Sequence, residues 1–297
     1  MFTHYFKIAF RNIWKYKTQS FTGIFGLAFA VACFVPALYW MRYETSYDSF
    51  YPDAKHIYRI YAMVKQSGKV NELVPGIVEK KMHEHFPGTE NSTLFYSEIN
   101  NCKTENTPHI RLRTINTDST FFRVFKQEFV SGDATQPLQT MFNIVLTESA
   151  AIGLFGDVEK AIGQQIQSTY YFFNPPYTVT AVVKDPPPNS NLPFDALLFH
   201  DMLPGMLSAP EEFQWIQFYA QFYVRLHPQT DPGNLAEQLR DFTSRLGVND
   251  HIELRMAPVS DVCHRLNSDL SFTLKFIRWI VAAGILLMFS AVFNFLN

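Results

Sequence analysis

The residues of this 297-residue sequence that could do chemistry are few. His83-Glu84-His85 sets two imidazoles around a carboxylate, and Cys263-His264 sets a thiol beside an imidazole. Metal binding needs such donors to converge on one ion. On a helix, side chains two apart point to different sides, so a solvated helix face is the plainer reading of His83 and His85. Cys263-His264 lacks further ligands at metal-site spacing. No G-x-x-x-x-G-K-[ST], H-E-x-x-H or G-x-S-x-G occurs, so nothing points to a P-loop, a zincin helix or a nucleophile elbow. No catalytic, cofactor-binding or metal-ligating residue is therefore assigned, and no cofactor is implied. Of the cysteines, Cys33 reads as a small packing residue in an apolar run. Cys102 and Cys263 fall where a disulfide could persist; two unpaired thiols is the preferred reading and a bridge the alternative.

With so little chemistry, the elements themselves carry the reading. From Thr18 to Met41 there is no charged residue. Phe21 to Met41 alone is ~21 residues, which at ~1.5 Å rise spans a ~30 Å hydrocarbon core. A cleaved signal peptide would end in small residues, but this run ends in Tyr39-Trp40-Met41-Arg42. Lys7, Arg11, Lys15 and Lys17 precede it and Glu44, Asp48 and Asp53 follow, so the N-terminus is predicted to be cytoplasmic. Trp14, Tyr16, Tyr39 and Trp40 suit interfacial belts. Gly26 and Ala30 suit close approach of another helix, and Pro36 should kink the outer part. Residues 1–17 read as a basic amphipathic segment in the inner interface, since Lys7, Arg11 and Lys15 share a face. A second uncharged run, Trp279 to Leu296, follows Lys275 and Arg278. The division is thus 1–17 cytoplasmic segment, 18–41 first transmembrane helix, 42–275 extracytoplasmic domain and 276–297 second transmembrane helix. The chain reads as the front part of a longer polypeptide, because no basic flank follows the second run.

The intervening domain is predicted to be α+β with two subdomains. Phe at 29 copies and aromatics at 16% lean toward pleated, half-buried surfaces. Strands are predicted at Ile57–Val64, around Ile110–Ile115, and at Phe142–Leu146, Tyr177–Val183, Phe194–Phe199, Phe218–Leu226 and His251–Met256. Helices are predicted at Pro75–Phe86, from a Thr147 cap to Gly156, and from Asp231-Pro232 to Gly247 with Leu235, Leu239, Phe242 and Leu246 as one stripe. Asp185-Pro186-Pro187-Pro188-Asn189-Ser190-Asn191 is a rigid loop, since three prolines cannot join a sheet interior. A net charge of −2 offers no basic field for nucleic acid.

Several ordered motifs resemble the MacB/FtsX-like ABC transporter permeases. They begin with Tyr5-Phe6-Lys7-Ile8-Ala9-Phe10-Arg11-Asn12-Ile13, then Glu44-Thr45-Ser46-Tyr47-Asp48-Ser49-Phe50 and Ile57-Tyr58-Arg59. Asp118 to Phe125, Gly132-Asp133, Ile144 to Ser149 and Leu154-Phe155-Gly156 are similar to the family's MacB-like periplasmic core. So are Tyr177 to Pro187, Asn189-Ser190 before Leu192-Pro193-Phe194-Asp195, and Pro258-Val259-Ser260-Asp261-Val262.

The resemblance implies a permease subunit that transmits ATP-driven motion from a separate cytoplasmic ABC ATPase to the outer domain, in efflux, lipoprotein handling or envelope regulation. It implies a permease dimer in the bacterial inner membrane, the lipid bilayer and an extracytoplasmic protein as partners, and no catalytic residue. The family's remaining helices and its ATPase contact are expected beyond Asn297. Two other readings share the layout: a transmembrane receptor or sensor with an outer ligand-binding domain, and a membrane-anchored envelope enzyme, which the empty motif search disfavours.

Overall fold

The computed structural model describes residue 11 and residues 14–105, 109–169, 176–199, 208–247, 251–266 and 268–296. The expected interfacial segment 1–17 lies largely outside them. The chain forms two compact units: Met1–Ser46 with Asn267–Asn297, and Tyr47–Leu266.

The first unit is a pair of long helices, α1 (Lys17–Glu44) and a C-terminal helix over Ser268–Leu296. Their apolar stretches Ser20–Glu44 and Phe272–Ser290 are long enough to cross a membrane. α1 shows no polar face: Phe21, Phe25 and Phe29 are exposed along it, as are Leu286, Phe289 and Phe293 on its partner. Such all-round apolarity suits a lipid solvent and not water. The two helices meet through Ala37, Ile277 and Val281, with Phe34, Met41 and Ile280 around them. Gly284 lies under Phe34, where a Cβ would come within 2.9 Å of the ring. Ala30 is buried, whereas nothing lies within 4 Å of a Cβ built on Gly26. Pro36 sits inside an unbroken helix.

The second unit is α+β. In chain order it contains β1 (Ile57–Val64), β2 (Val70–Asn71), β3 (Val74–Pro75), α2 (Ile77–His85), β4 (Thr89–Lys103) and β5 (Ile110–Thr117). Then follow α3 (Phe121–Val124), β6 (Phe129–Gly132), β7 (Asn143–Thr147), α4 (Glu148–Phe155), α5 (Val158–Ala161), β8 (Gln165–Thr169), β9 (Pro176–Val183) and β10 (Ala196–Phe199). The last elements are α6 (Glu211–Gln214), β11 (Phe218–Leu226), α7 (Pro232–Arg240), α8 (Phe242–Leu246), β12 (Ile252–Pro258) and α9 (Val262–Leu266), the helix over Ser268–Leu296 being α10.

The described strands form one sheet in the order β12-β1-β11-β4-β5-β10-β7-β9-β6. β8 pairs with both β4 and β9, which closes a ring of six strands: β4, β5, β10, β7, β9 and β8. The two expected subdomains are thus two lobes of one sheet, an open one and a ring. β4 serves both. Its first half, Thr89 to Phe95, pairs with β11, and its second half, Tyr96 to Cys102, pairs with β5.

Three large apolar cores follow from this among the described residues. The open lobe buries Ile60, Phe222 and Leu254 against Met82 of α2 and Leu235, Leu239 and Phe242 of α7 and α8. The ring lobe buries Ile144, Val179 and Leu198 against Ala151 and Leu154 of α4. The third core contains Phe95, Phe121, Phe125, Phe194 and Tyr223 and joins residues of both lobes to Tyr51, Ile57 and Val259.

Several sequence expectations are corrected. Pro75 belongs to β3, and the helix begins at Ile77. The stripe from Leu235 to Leu246 spans two helices broken at Asp241 (φ −95°, ψ 2°), although its residues keep one core. α10 runs from Ser268 to Leu296 and holds the expected second span, from 276 onward, within one helix. β4 was not foreseen, because Thr89-Glu90-Asn91-Ser92-Thr93 reads as loop chemistry. Cys102 and Cys263 are buried and no disulfide joins them, which agrees with the preferred reading of two thiols.

Gly132 ends β6 at φ +88°, and a Cβ there would collide with the Thr180 carbonyl oxygen and stand 2.6 Å from the Ala181 Cα. Backbone cannot move aside as a flexible side chain can. Gly132→Ala should therefore cost about 3 kcal/mol of domain stability, combining left-handed strain with overpacking. Denaturant unfolding followed by tryptophan fluorescence checks this; a change under about 0.5 kcal/mol, the range of neutral surface substitutions, would contradict it.

Candidate functional site

Among the described residues, no group of three or more His, Cys, Asp or Glu is placed to hold a metal. His83 and His85 go to different neighbours. His83 Nε2 lies 2.9 Å from Ser92 Oγ, which donates to Glu79 Oε1 at 2.9 Å. Since the hydroxyl proton goes to Glu79, His83 Nε2 must donate to Ser92, so the hydroxyl is shared and not activated. His85 packs edge-on against Phe242, with ring centroids 5.3 Å apart.

The distinctive geometry lies where the chain comes into the mixed unit at Tyr47 and leaves it at Leu266. Tyr47 and His264 meet edge to face at 6.4 Å, so incoming and outgoing segments touch. One residue on, Asp48 takes a left-handed backbone (φ 52°) and is fully buried. Aspartate tolerates that conformation better than most residues. Its Oδ1 accepts from Ser190 Oγ at 3.1 Å and from the Asn191 amide at 3.0 Å, and its Oδ2 accepts from Asn191 Nδ2 at 2.6 Å. The Asp48 amide in turn donates to the Asn189 carbonyl at 3.0 Å. Tyr51 then packs on Phe125 at 5.0 Å, inside the third core.

The loop that receives Asp48 is held at both ends. Asp185 accepts from Ser149 Oγ at 2.8 Å, in the first turn of α4, whose Thr147 cap accepts from the Ala150 amide. Asp195 takes Arg113 Nε at 3.0 Å and Arg113 Nη2 at 2.6 Å. Between these ends, Leu192 and Phe194 are buried in the third core. Fully burying one such side chain is worth roughly 1.5–3 kcal/mol, against roughly 1 kcal/mol for a neutral hydrogen bond. Apolar packing therefore fixes the loop's position, and the Asp48 bonds select the conformation of the incoming segment.

On the outgoing side, Pro258 pairs with Tyr58 in the sheet and Val259 is buried in the third core. Pro258 to Asp261 is consequently folded into the unit, and the boundary falls at Leu266. The motifs Tyr47-Asp48, Thr147-Glu148-Ser149, Asp185 to Asn191 and Asp195 were legible separately. Their convergence was not, since Asp48 and Ser190 stand 142 positions apart.

The family model of the MacB-like periplasmic core domain matches residues 20–242. Among solved structures, a domain assigned to a permease protein of Porphyromonas gingivalis is similar at 22% identity and TM-score 0.56, over 70% of this chain and 92% of that one. The periplasmic region of MacB from Actinobacillus actinomycetemcomitans aligns at 13% identity and TM-score 0.49, over 70% and 91%. The extracellular domain of the ABC-type transporter YknZ from Gram-positive bacteria aligns at 11% identity and TM-score 0.46, over 67% and 98%. No match is found among curated proteins.

Asn191→Ala removes one of three donors to a buried carboxylate and should cost about 1–3 kcal/mol. The chemical-denaturation midpoint should fall with an unchanged slope. An unchanged midpoint would show that the Asn191 side chain contributes nothing to the tie.

Proposed function

Because the chain belongs to the family of the MacB-like periplasmic core domain, the outer part of a MacB/FtsX-type ABC transporter permease, we propose that it transmits ATP-driven motion outward. In this reading a separate cytoplasmic ABC ATPase supplies the energy and a second permease copy completes the membrane unit. The helix pair crosses the inner membrane with residues 1–17 on the cytoplasmic side, and Tyr47–Leu266 stands outside. The work is done on cargo or partners already outside, in efflux, lipoprotein handling or envelope regulation. This chain's own residues supply no hydrolytic chemistry; ATP hydrolysis belongs to the partner subunit.

The observation that carries the reading is the family-matched domain flanked in sequence by two apolar helices long enough to cross a membrane. Incoming Tyr47 meets outgoing His264, and Asp48 is fastened to a loop packed in the core. Folding the first and last residues of the domain into its own packing suits transfer of motion, where a flexible linker would dissipate it.

Purification from native membranes should yield the chain in complex with a P-loop ATPase. Flexible Gly/Ser segments inserted between Ser46 and Tyr47, and after Leu266, should leave ATP turnover intact. They should abolish nucleotide-dependent changes in spin-label distances between the outer domains of two copies. Distance changes that survive both inserts would overturn force transmission through these joints.

A further inference from the structure

Asp48 is the group around which the joint is built, and its surroundings are unusual for a carboxylate. It is fully buried, and its donors are neutral: the Ser190 hydroxyl, the Asn191 amide and the Asn191 side chain. Among the described residues no ion pair reaches it. Arg59 on β1 is engaged by Glu72 at 3.2 Å and lies 5.6 Å over the Tyr223 ring. Asp48 in turn helps to raise Tyr51 of its own segment and Tyr223 of β11, and His264 from α9 faces Tyr47. Asp195, at the far end of the same loop, makes the comparison. Burial also pushes its carboxyl up, yet the Arg113 bonds bring it below the usual carboxylate range.

We propose that the tie between the incoming segment at Asp48 and the loop at Asn189–Asn191 is a proton-controlled latch, with the Asp48 carboxyl as its switch. The ionised form places a charge with no ion-pair partner among the described residues out of reach of water, and three neutral donors offset only part of that cost. The neutral acid removes the charge. Its proton sits on Oδ2, and the Asn191 amide turns over to present its oxygen, so the tie keeps its three bonds. Burial raises the Asp48 carboxyl to about 6, with the Asn191 and Ser190 bonds acting the other way. Tyr223 is pushed up to about 12 and Tyr51 higher still, both by burial, so neither titrates in this range. A folded carboxyl raised from 3.8 contributes stability that is complete below 3.8 and is lost as pH rises through about 6. The latch is therefore tighter in mild acid than at neutral pH. That acid outside the cell would stiffen force transfer rests on the permease reading; the latch itself does not.

Hydrogen exchange by mass spectrometry on the whole chain in lipid nanodiscs tests it, with rates corrected for intrinsic exchange. Peptides covering Tyr47–Tyr51 and the loop 185–193 should open about tenfold more at pH 7.5 than at pH 5.0 in the wild type. D48N, whose residue tolerates the same backbone, should open equally at both. S190A removes a donor to the ionised form and should move the midpoint upward, which keeps the test in hand if D48N does not fold. Opening that is independent of pH in the wild type, the same tenfold ratio in D48N, or an unmoved midpoint in S190A each overturns the latch. No ATPase takes part, so such a failure leaves the permease reading standing.

Discussion

A buried carboxylate must be met by donors, and in this chain that requirement organises the first residues of the mixed unit. Asp48 follows α1 after a short turn and is removed from water. Its nearest available donors belong to a loop that closes only after β9 has been laid down. The incoming segment thus has a defined position only once the ring lobe exists. The loop side takes part as well: the Ser190 hydroxyl donates to Asp48 while accepting from the Leu192 amide, and the Asn189 carbonyl accepts from the Asp48 amide. The bonds between the two segments therefore tie the joint to the domain.

The shared strand and the shared core explain how a local tie becomes a property of the whole unit. β4 hands its hydrogen bonds from β11 to β5 midway, so the open lobe and the ring have a common backbone. Phe95 on that strand stacks on Tyr223 at 5.5 Å and meets Phe121 edge-on at 5.7 Å. Phe121 in turn meets Phe194, from the loop that holds Asp48. Close packing leaves such rings no room to shift independently. Displacing the incoming segment therefore means displacing Tyr51 and Phe125, and through them both lobes.

What was legible in the sequence and what was not divides along contact range. β1 could be bounded at Ile57 and Val64 because β-branched and aromatic residues are dense there and nothing distant is needed to see it. The Thr147 cap and Gly156 stop of α4 are equally local signals, and both are in place. β4 was missed because its first half is made of turn-forming and polar residues that become strand only between β11 and β5. The break at Asp241 was hidden because the apolar stripe continues across it into the same core. The rigidity of the three-proline loop was readable, whereas its role as the receptor for Asp48 depends on a pairing no periodicity encodes.

That pairing also bears on why a charged residue occupies the joint. An apolar residue at position 48 would avoid the desolvation cost, but packing contacts are non-directional and would admit several angles of the incoming chain. Three hydrogen bonds to two adjacent residues define one. An arginine partner, such as Asp195 has in Arg113, would define it as well and would keep the acid ionised. The arrangement present, direction without a counter-charge, is the one that leaves the strength of the attachment open to protonation. Orientation at the joint is thus set by geometry that persists, while its tightness depends on one proton.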